Sequence, residues 1–134
     1  MQVERQNETP IRSQDDVVLA RQRVRQWARE LGLSLVGQTK LVTAASELGR
    51  NTLVYGGGGT LRLEVVLLDN RHGLRLVFSD EGPGIADVEQ ALRDGYSTGR
   101  GLGLGLGGSR RLVDQFEIES SAGGGTRVTI VQWV

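Results

Sequence analysis

From Tyr96 to Arg110 the chain reads Tyr96-Ser-Thr-Gly99-Arg-Gly101-Leu-Gly103-Leu-Gly105-Leu-Gly107-Gly-Ser-Arg110, with six glycines between Gly99 and Gly108. Glycine loses more backbone entropy on folding than any other residue and offers no side chain to pack, so such a run weakens an ordinary helix or strand. What it gains is close approach of backbone N–H groups to a ligand, most often phosphate. Gly103-Leu104-Gly105-Leu106-Gly107-Gly108 also satisfies the text pattern G-x-G-x-x-G. A dinucleotide fold needs a strand running directly into the first glycine. Here the approach is a helix end and the polar loop Asp94-Gly95-Tyr96-Ser97-Thr98, so a Rossmann reading fails. A phosphate loop of the Walker type needs Gly-Lys, which the chain lacks, and the protein-kinase set H-R-D and D-F-G is missing as well.

Upstream of the glycines lie two helical patterns. Ser13 offers an N-cap, with Asp16 three residues on. Val17, Ala20, Val24, Trp27, Ala28 and Leu31 follow at helical spacing, and Gly32 stands at the stop position. A second helix is predicted from about Ser34 to Tyr55, with Leu35, Leu41, Val42, Ala45, Leu48 and Thr52 on its buried side and the glycines Gly56 to Gly59 ending it. Leu61–Val65 and Leu74–Ser79 alternate as antiparallel strands, and His72 sits between them as a hairpin residue. A short helix is predicted over Val88–Arg93, another over about Ser109–Gln115, and two closing strands over Phe116–Ser121 and Thr126–Val134. Around Val3 and Ile11 the signal is weakly extended, and Pro10 there favours an edge strand. This order predicts an α+β fold, helices stacked on one face of a mixed, mostly antiparallel sheet.

The 134 residues suit a single domain spanning 1–134. Sixteen basic and sixteen acidic side chains cancel without forming a block of either sign, which argues against nucleic acid as a partner. No window approaches the ~18 apolar residues of a membrane span, and the N-terminal residues are charged rather than apolar, so a soluble, cytoplasmic protein is expected. Without cysteine there is no disulfide, thiolate metal site or cysteine nucleophile.

Three further motifs carry chemistry. Glu47 and Asn51 are four apart on the second helix and share a face, as two oxygen ligands, or a base and a ligand, for a hard cation such as Mg²⁺ would; a solvated helix face carries such pairs too. Asp80-Glu81-Gly82-Pro83-Gly84 closes a strand as D-x-G-x-G, a pattern plain turns also select. Gly125-Thr126 enters the last strand. Alone, each is weak. Their order is more specific: an E-x-x-x-N helix, a strand ending in D-x-G-x-G, a G-x-G-x-G loop leading into a helix, then G-T in a final hairpin.

In that order the motifs resemble the N, G1, G2 and G3 boxes of the Bergerat-fold (GHKL) ATPases and kinases, from about Ser13 to the last residue. Within that superfamily the chain is similar to the small bacterial serine kinases of partner-switching systems, most closely the RsbT type. Its compactness, the string Gly99 to Gly108 and the string Arg111-Leu112-Val113-Asp114-Gln115-Phe116-Glu117-Ile118 carry that likeness. RsbT proteins often show Lys where Arg100 stands and Pro near Gly107.

The resemblance implies a two-layer α/β sandwich and an ATP- and Mg²⁺-dependent serine/threonine-protein kinase. It makes Glu47 the catalytic base and Asn51 the metal ligand. Asp80 becomes the acceptor for the adenine amino group, Gly82 and Gly84 the close-approach glycines and Thr126 a hydroxyl at the same edge. Gly101, Gly103 and Gly105 become a lid over the triphosphate, with Ser97, Thr98, Gly99 and Arg100 as further phosphate contacts. Implied substrates are STAS-domain proteins (RsbS- or RsbR-like, as in stressosomes), with a PP2C-type phosphatase (RsbU-like) as a protein to be activated. Two other readings stay open: an anti-sigma factor or nucleotide-gated binding protein with little turnover, and a detached histidine-kinase catalytic domain.

Overall fold

A computed structural model describes residues 1–93 and 105–134. The expected contacts of Ser97, Thr98, Gly99, Arg100, Gly101 and Gly103 with phosphate lie outside the described residues. The elements run β1 (Gln2–Ile11), α1 (Gln14–Leu31), α2 (Leu35–Val54), β2 (Gly59–Leu68), β3 (Arg71–Asp80), α3 (Val88–Ala91), α4 (Gly105–Leu112), β4 (Gln115–Ser120) and β5 (Thr126–Trp133). Among the described residues they form one five-stranded sheet, ordered β1-β2-β3-β5-β4, in which every pairing is antiparallel.

Local signals set the element ends. Ser13 caps α1 by accepting a hydrogen bond from the Asp16 N–H at 3.1 Å, while the Asp16 carboxylate accepts from the Arg12 N–H at 2.8 Å. Gly32 ends the helix at φ 99°, its N–H returning to the Ala28 and Arg29 carbonyls. Ser34 caps α2 in the same manner as Ser13 caps α1, through the Gly37 N–H at 3.0 Å. Asp69 and Asn70, both at positive φ, make the two-residue turn between β2 and β3. His72 follows that turn as expected and meets Glu4 on β1 at 2.7 Å. Pro10 lies in the edge strand β1, opposite Thr60, where a missing N–H costs least.

The helix-covered face of the sheet is built in rows across the strands. Leu63, Leu76, Ile130 and Phe116 stand abreast, and the next row is Leu61, Phe78, Val128 and Ile118. Most of these side chains are buried, against Val24, Trp27, Leu41, Ala45 and Leu48 of the helices. One row further on, the pattern turns polar: Gly59, Asp80, Thr126 and Ser120. Alternation along each strand puts this row on the same face as the core rows, so the polar groups continue the core surface.

Two expectations need correction. Leu35 was placed on the buried side of α2 but is 72% exposed, because it lies in the first turn, ahead of the stretch that rests on the sheet. α4 begins at Gly105 rather than Ser109, so the last glycines of the run belong to the helix. Their smallness is what lets it dock: a β-carbon on Gly107 would fall 2.4 Å from the Leu92 carbonyl oxygen. Gly105 itself has φ 68° and serves as the entry to the helix. No helix among the described residues is long and apolar enough to cross a membrane.

Candidate functional site

Asp80 ends β3 at the rim of the sheet, and three backbone segments converge on it. Its Oδ1 accepts the Gly82 N–H at 2.9 Å, which fixes one carboxylate oxygen inside its own turn. The end of α2 comes against its other side, where a β-carbon on Gly56 would lie 2.4 Å from the Asp80 carboxyl carbon. From β5, a β-carbon on Gly125 would lie 2.3 Å from the Asp80 carbonyl oxygen. Gly82 packs on Gly56 in turn, with 2.7 Å from its notional β-carbon to the Gly56 Cα. Only glycine at these positions permits so close a convergence around one carboxylate.

The turn is tied to the closing hairpin as well. Gly84 has φ 74° and lies against the Ser121 carbonyl, and the Gly123 N–H reaches the Pro83 carbonyl at 2.6 Å. Thr126 stands directly opposite Asp80 across β3 and β5. Its Oγ1 lies 2.8 Å from the Ser120 Oγ, which also accepts the Ile85 N–H and donates to the Gly125 carbonyl, each at 2.8 Å. Asp80, Gly82, Gly84 and Thr126 are therefore one cluster, assembled from two strands and two turns.

Glu47 and Asn51 lie on α2, whose C-terminal end delivers Gly56 to Asp80. Glu47 is half-buried in an open groove of about 560 Å³ between α1 and α2, with Val17, Val18 and Leu53 as apolar lining and Arg21, Arg50 and Ser46 among its polar residues. Four residues make one helical turn plus about 40°, so Asn51 sits one turn on from Glu47. Among the described residues the side chains of Glu47, Asn51, Arg21 and Arg50 make no ion pair or hydrogen bond. No three acidic or histidine side chains gather to hold a metal ion among the described residues. The Asn51 amide oxygen is a hard donor of the kind that suits a cation completed by water and phosphate oxygens, such as Mg²⁺.

Ser109 adds a feature that the sequence did not single out. It is fully buried on α4, and its Oγ has no hydrogen-bond partner among the described residues. Gly56, Ser120, Arg21 and Arg50 were not singled out either. Ser120 had a signal in hindsight, since it lies six residues before Thr126 and pairs with it across β4 and β5. Gly56 was visible only as a helix stop.

A family model for the histidine kinase-like ATPase domain matches residues 12–132. The serine/threonine-protein kinase RsbT of Bacillus subtilis is 44% identical over 119 residues, covering 89% of this chain and 90% of that protein. An anti-sigma F factor of Caldanaerobacter subterraneus is 28% identical over 121 residues, covering 86% and 83%. Among solved structures, the RsbU and RsbW domains of Rv1364c from Mycobacterium tuberculosis superpose with a TM-score of 0.65 at 19% identity, over 96% of this chain and 32% of that one. The SiaB–SiaC complex of Pseudomonas aeruginosa gives 0.55 at 14% identity, over 98% of this chain and 91% of that one. At these identities the two structures speak for the fold.

Proposed function

We propose, from the premise that this chain belongs to the histidine kinase-like ATPase domain family and is an RsbT-like serine/threonine-protein kinase, that it phosphorylates a STAS-domain protein in a bacterial partner-switching pathway. The observation that carries this reading is Glu47. A carboxylate without an ionic partner among the described residues stands one turn from Asn51, in an open groove. A binding protein with no turnover has no use for a base in that position.

In this reading Asp80 holds the amino group of the adenine through its carboxylate, with Gly82 and Gly84 letting the backbone of the turn approach the base. Thr126 adds a hydroxyl at the same edge. Asn51 would hold Mg²⁺, which when bound compensates charge on the triphosphate. Glu47 orients the incoming Ser or Thr hydroxyl and takes its proton late, because phosphoryl transfer proceeds through a loose transition state and asks for alignment more than for strong basicity. The apolar lining and the two arginines of the groove fit the surface of a folded protein better than a small molecule. A PP2C-type phosphatase is proposed as a second partner, activated when the kinase is free, and the cytoplasm as the place of action. Both rest on the likeness to RsbT proteins.

Transfer of the ATP γ-phosphate to a STAS-domain protein tests the reading. Glu47→Gln should lower the transfer rate by ~10²–10⁴-fold while leaving nucleotide affinity within a few-fold. Asn51→Ala should lose transfer together with its Mg²⁺ dependence. Undiminished transfer in Glu47→Gln overturns the mechanism. The likeness to anti-sigma F factors favours one other reading, nucleotide-gated capture of a partner, and the same assay separates it. Capture that needs ATP but survives Glu47→Gln, with no labelled product from the unaltered chain, would establish capture instead.

A further inference from the structure

The hydroxyl of Ser120 has three partners and one proton. A serine hydroxyl offers one donor and two acceptor lone pairs. The Ile85 N–H can only donate, so it occupies one lone pair at 2.8 Å. The Gly125 carbonyl can only accept, so the Ser120 proton goes there, also at 2.8 Å. One lone pair remains, and the Thr126 Oγ1 lies 2.8 Å away. Thr126 must then be the donor of that pair. Its single proton is committed to Ser120, and to any other neighbour it presents lone pairs alone.

Asp80, opposite Thr126 in the same row, is an acceptor too, and Oδ1 is already held by the Gly82 N–H. Two neighbouring groups at this edge thus accept and neither donates. We infer that Ser120 is a positioning residue that locks Thr126 as an acceptor, and thereby makes this edge select a nucleobase carrying an exocyclic amino group over one carrying a carbonyl. This rests on the placement of the base at Asp80 proposed above. A 6-oxo purine would set its carbonyl oxygen against two acceptors and bring only its N1–H as a donor, while a 6-amino purine supplies the amino donors they lack. Once Ser120 is removed, the Thr126 hydroxyl can rotate and donate to a carbonyl, so the preference weakens.

The test compares ATP with inosine triphosphate, which differs in having a 6-oxo group, by direct binding and by phosphoryl transfer. Ser120→Ala should lower the ATP-to-inosine-triphosphate affinity ratio by about tenfold, one hydrogen bond's worth. Ser120→Thr, which keeps the hydroxyl, should restore the ratio. A purely structural Ser120 would weaken both nucleotides equally, and an unchanged ratio overturns the inference. Thr126→Val gives a second arm that leaves Ser120 bonded to Ile85 and Gly125. It should lower the ratio too, and adding Ser120→Ala to it should lower the ratio no further; a further drop of the same size overturns the relay. Asp80→Asn separates the premise. If it leaves ATP affinity unchanged, the base is not at Asp80 and the site reading fails first.

Discussion

Gly56 and Asp80 are packed so that neither leaves room for change in the other: a β-carbon on the glycine would sit 2.4 Å from the carboxyl carbon and 2.6 Å from Oδ2. The contact joins the last turn of α2 to the end of β3, so one methyl group there acts on the position of the carboxylate. Gly56→Ala should push Asp80 out of line and weaken ATP binding by at least about tenfold, the scale of one misplaced charged hydrogen bond. The far-ultraviolet spectrum should stay unchanged. Equal ATP affinity in the variant, measured by calorimetry, would rule out this dependence.

Arg21 and Arg50 face the Glu47 groove from α1 and α2 without ionic partners among the described residues. Replacing both by Gln should raise KM for the protein substrate several-fold, more at low salt than at high, and leave ATP affinity alone, as charges at an interface rim act mainly on encounter. Steady-state kinetics at two salt concentrations decides this. A fall in kcat with KM unmoved would place the arginines in the chemistry instead.

Gly107 allows α4 to lie against the end of α3, close to the Leu92 carbonyl. Gly107→Ala gains helix propensity but meets backbone at 2.4 Å, and overpacking of that kind costs ~1–3 kcal/mol, more than propensity returns. The urea midpoint should fall. A rise would mean that α4 shifts freely.

Glu30 is one source of acid dependence. The Arg5 guanidinium at 2.8 Å, helped by Gln26, holds its carboxyl below the usual carboxylate range, and Arg5 itself lies 3.8 Å from the centre of the Trp27 ring. A carboxylate whose pKa is lower folded than unfolded contributes stability above its unfolded pKa and loses it as pH falls through the folded value. The advantage of the unaltered chain over Glu30→Gln should therefore be present at neutral pH and vanish in acid. Because the pair is exposed, it should be small and shrink with salt. Urea titrations at both pH values check this, and a constant difference would show that the carboxylate charge is not its source.

What the sequence made legible was whatever is written locally. Ser13, Gly32 and Ser34 mark helix ends by their own chemistry, and the alternation in Leu61–Val65 marks a strand without reference to its neighbours. Asp80, Gly82, Gly84 and Thr126, far apart in two motifs, are neighbours at the ends of β3 and β5. What escaped was set by tertiary distance. Nothing near Gly56 tells that its missing side chain makes space for a carboxylate 24 positions later, and Ser120 looks like any strand serine until three partners from two turns meet it. Leu35 misled for the opposite reason: helical spacing names a face, but not where along the helix that face runs out of sheet to cover. Ser109 likewise became a buried hydroxyl only because α4 begins four residues sooner than its glycines suggested.

The polar row of Gly59, Asp80, Thr126 and Ser120 extends two apolar rows of the same sheet face, so a purine resting on it would be stacked like one more tier of the interior. Ligand occupancy and resistance to unfolding then share a foundation. Each tenfold rise in free nucleotide above its Kd should add ~1.4 kcal/mol to the unfolding free energy, felt throughout the sheet rather than at one loop.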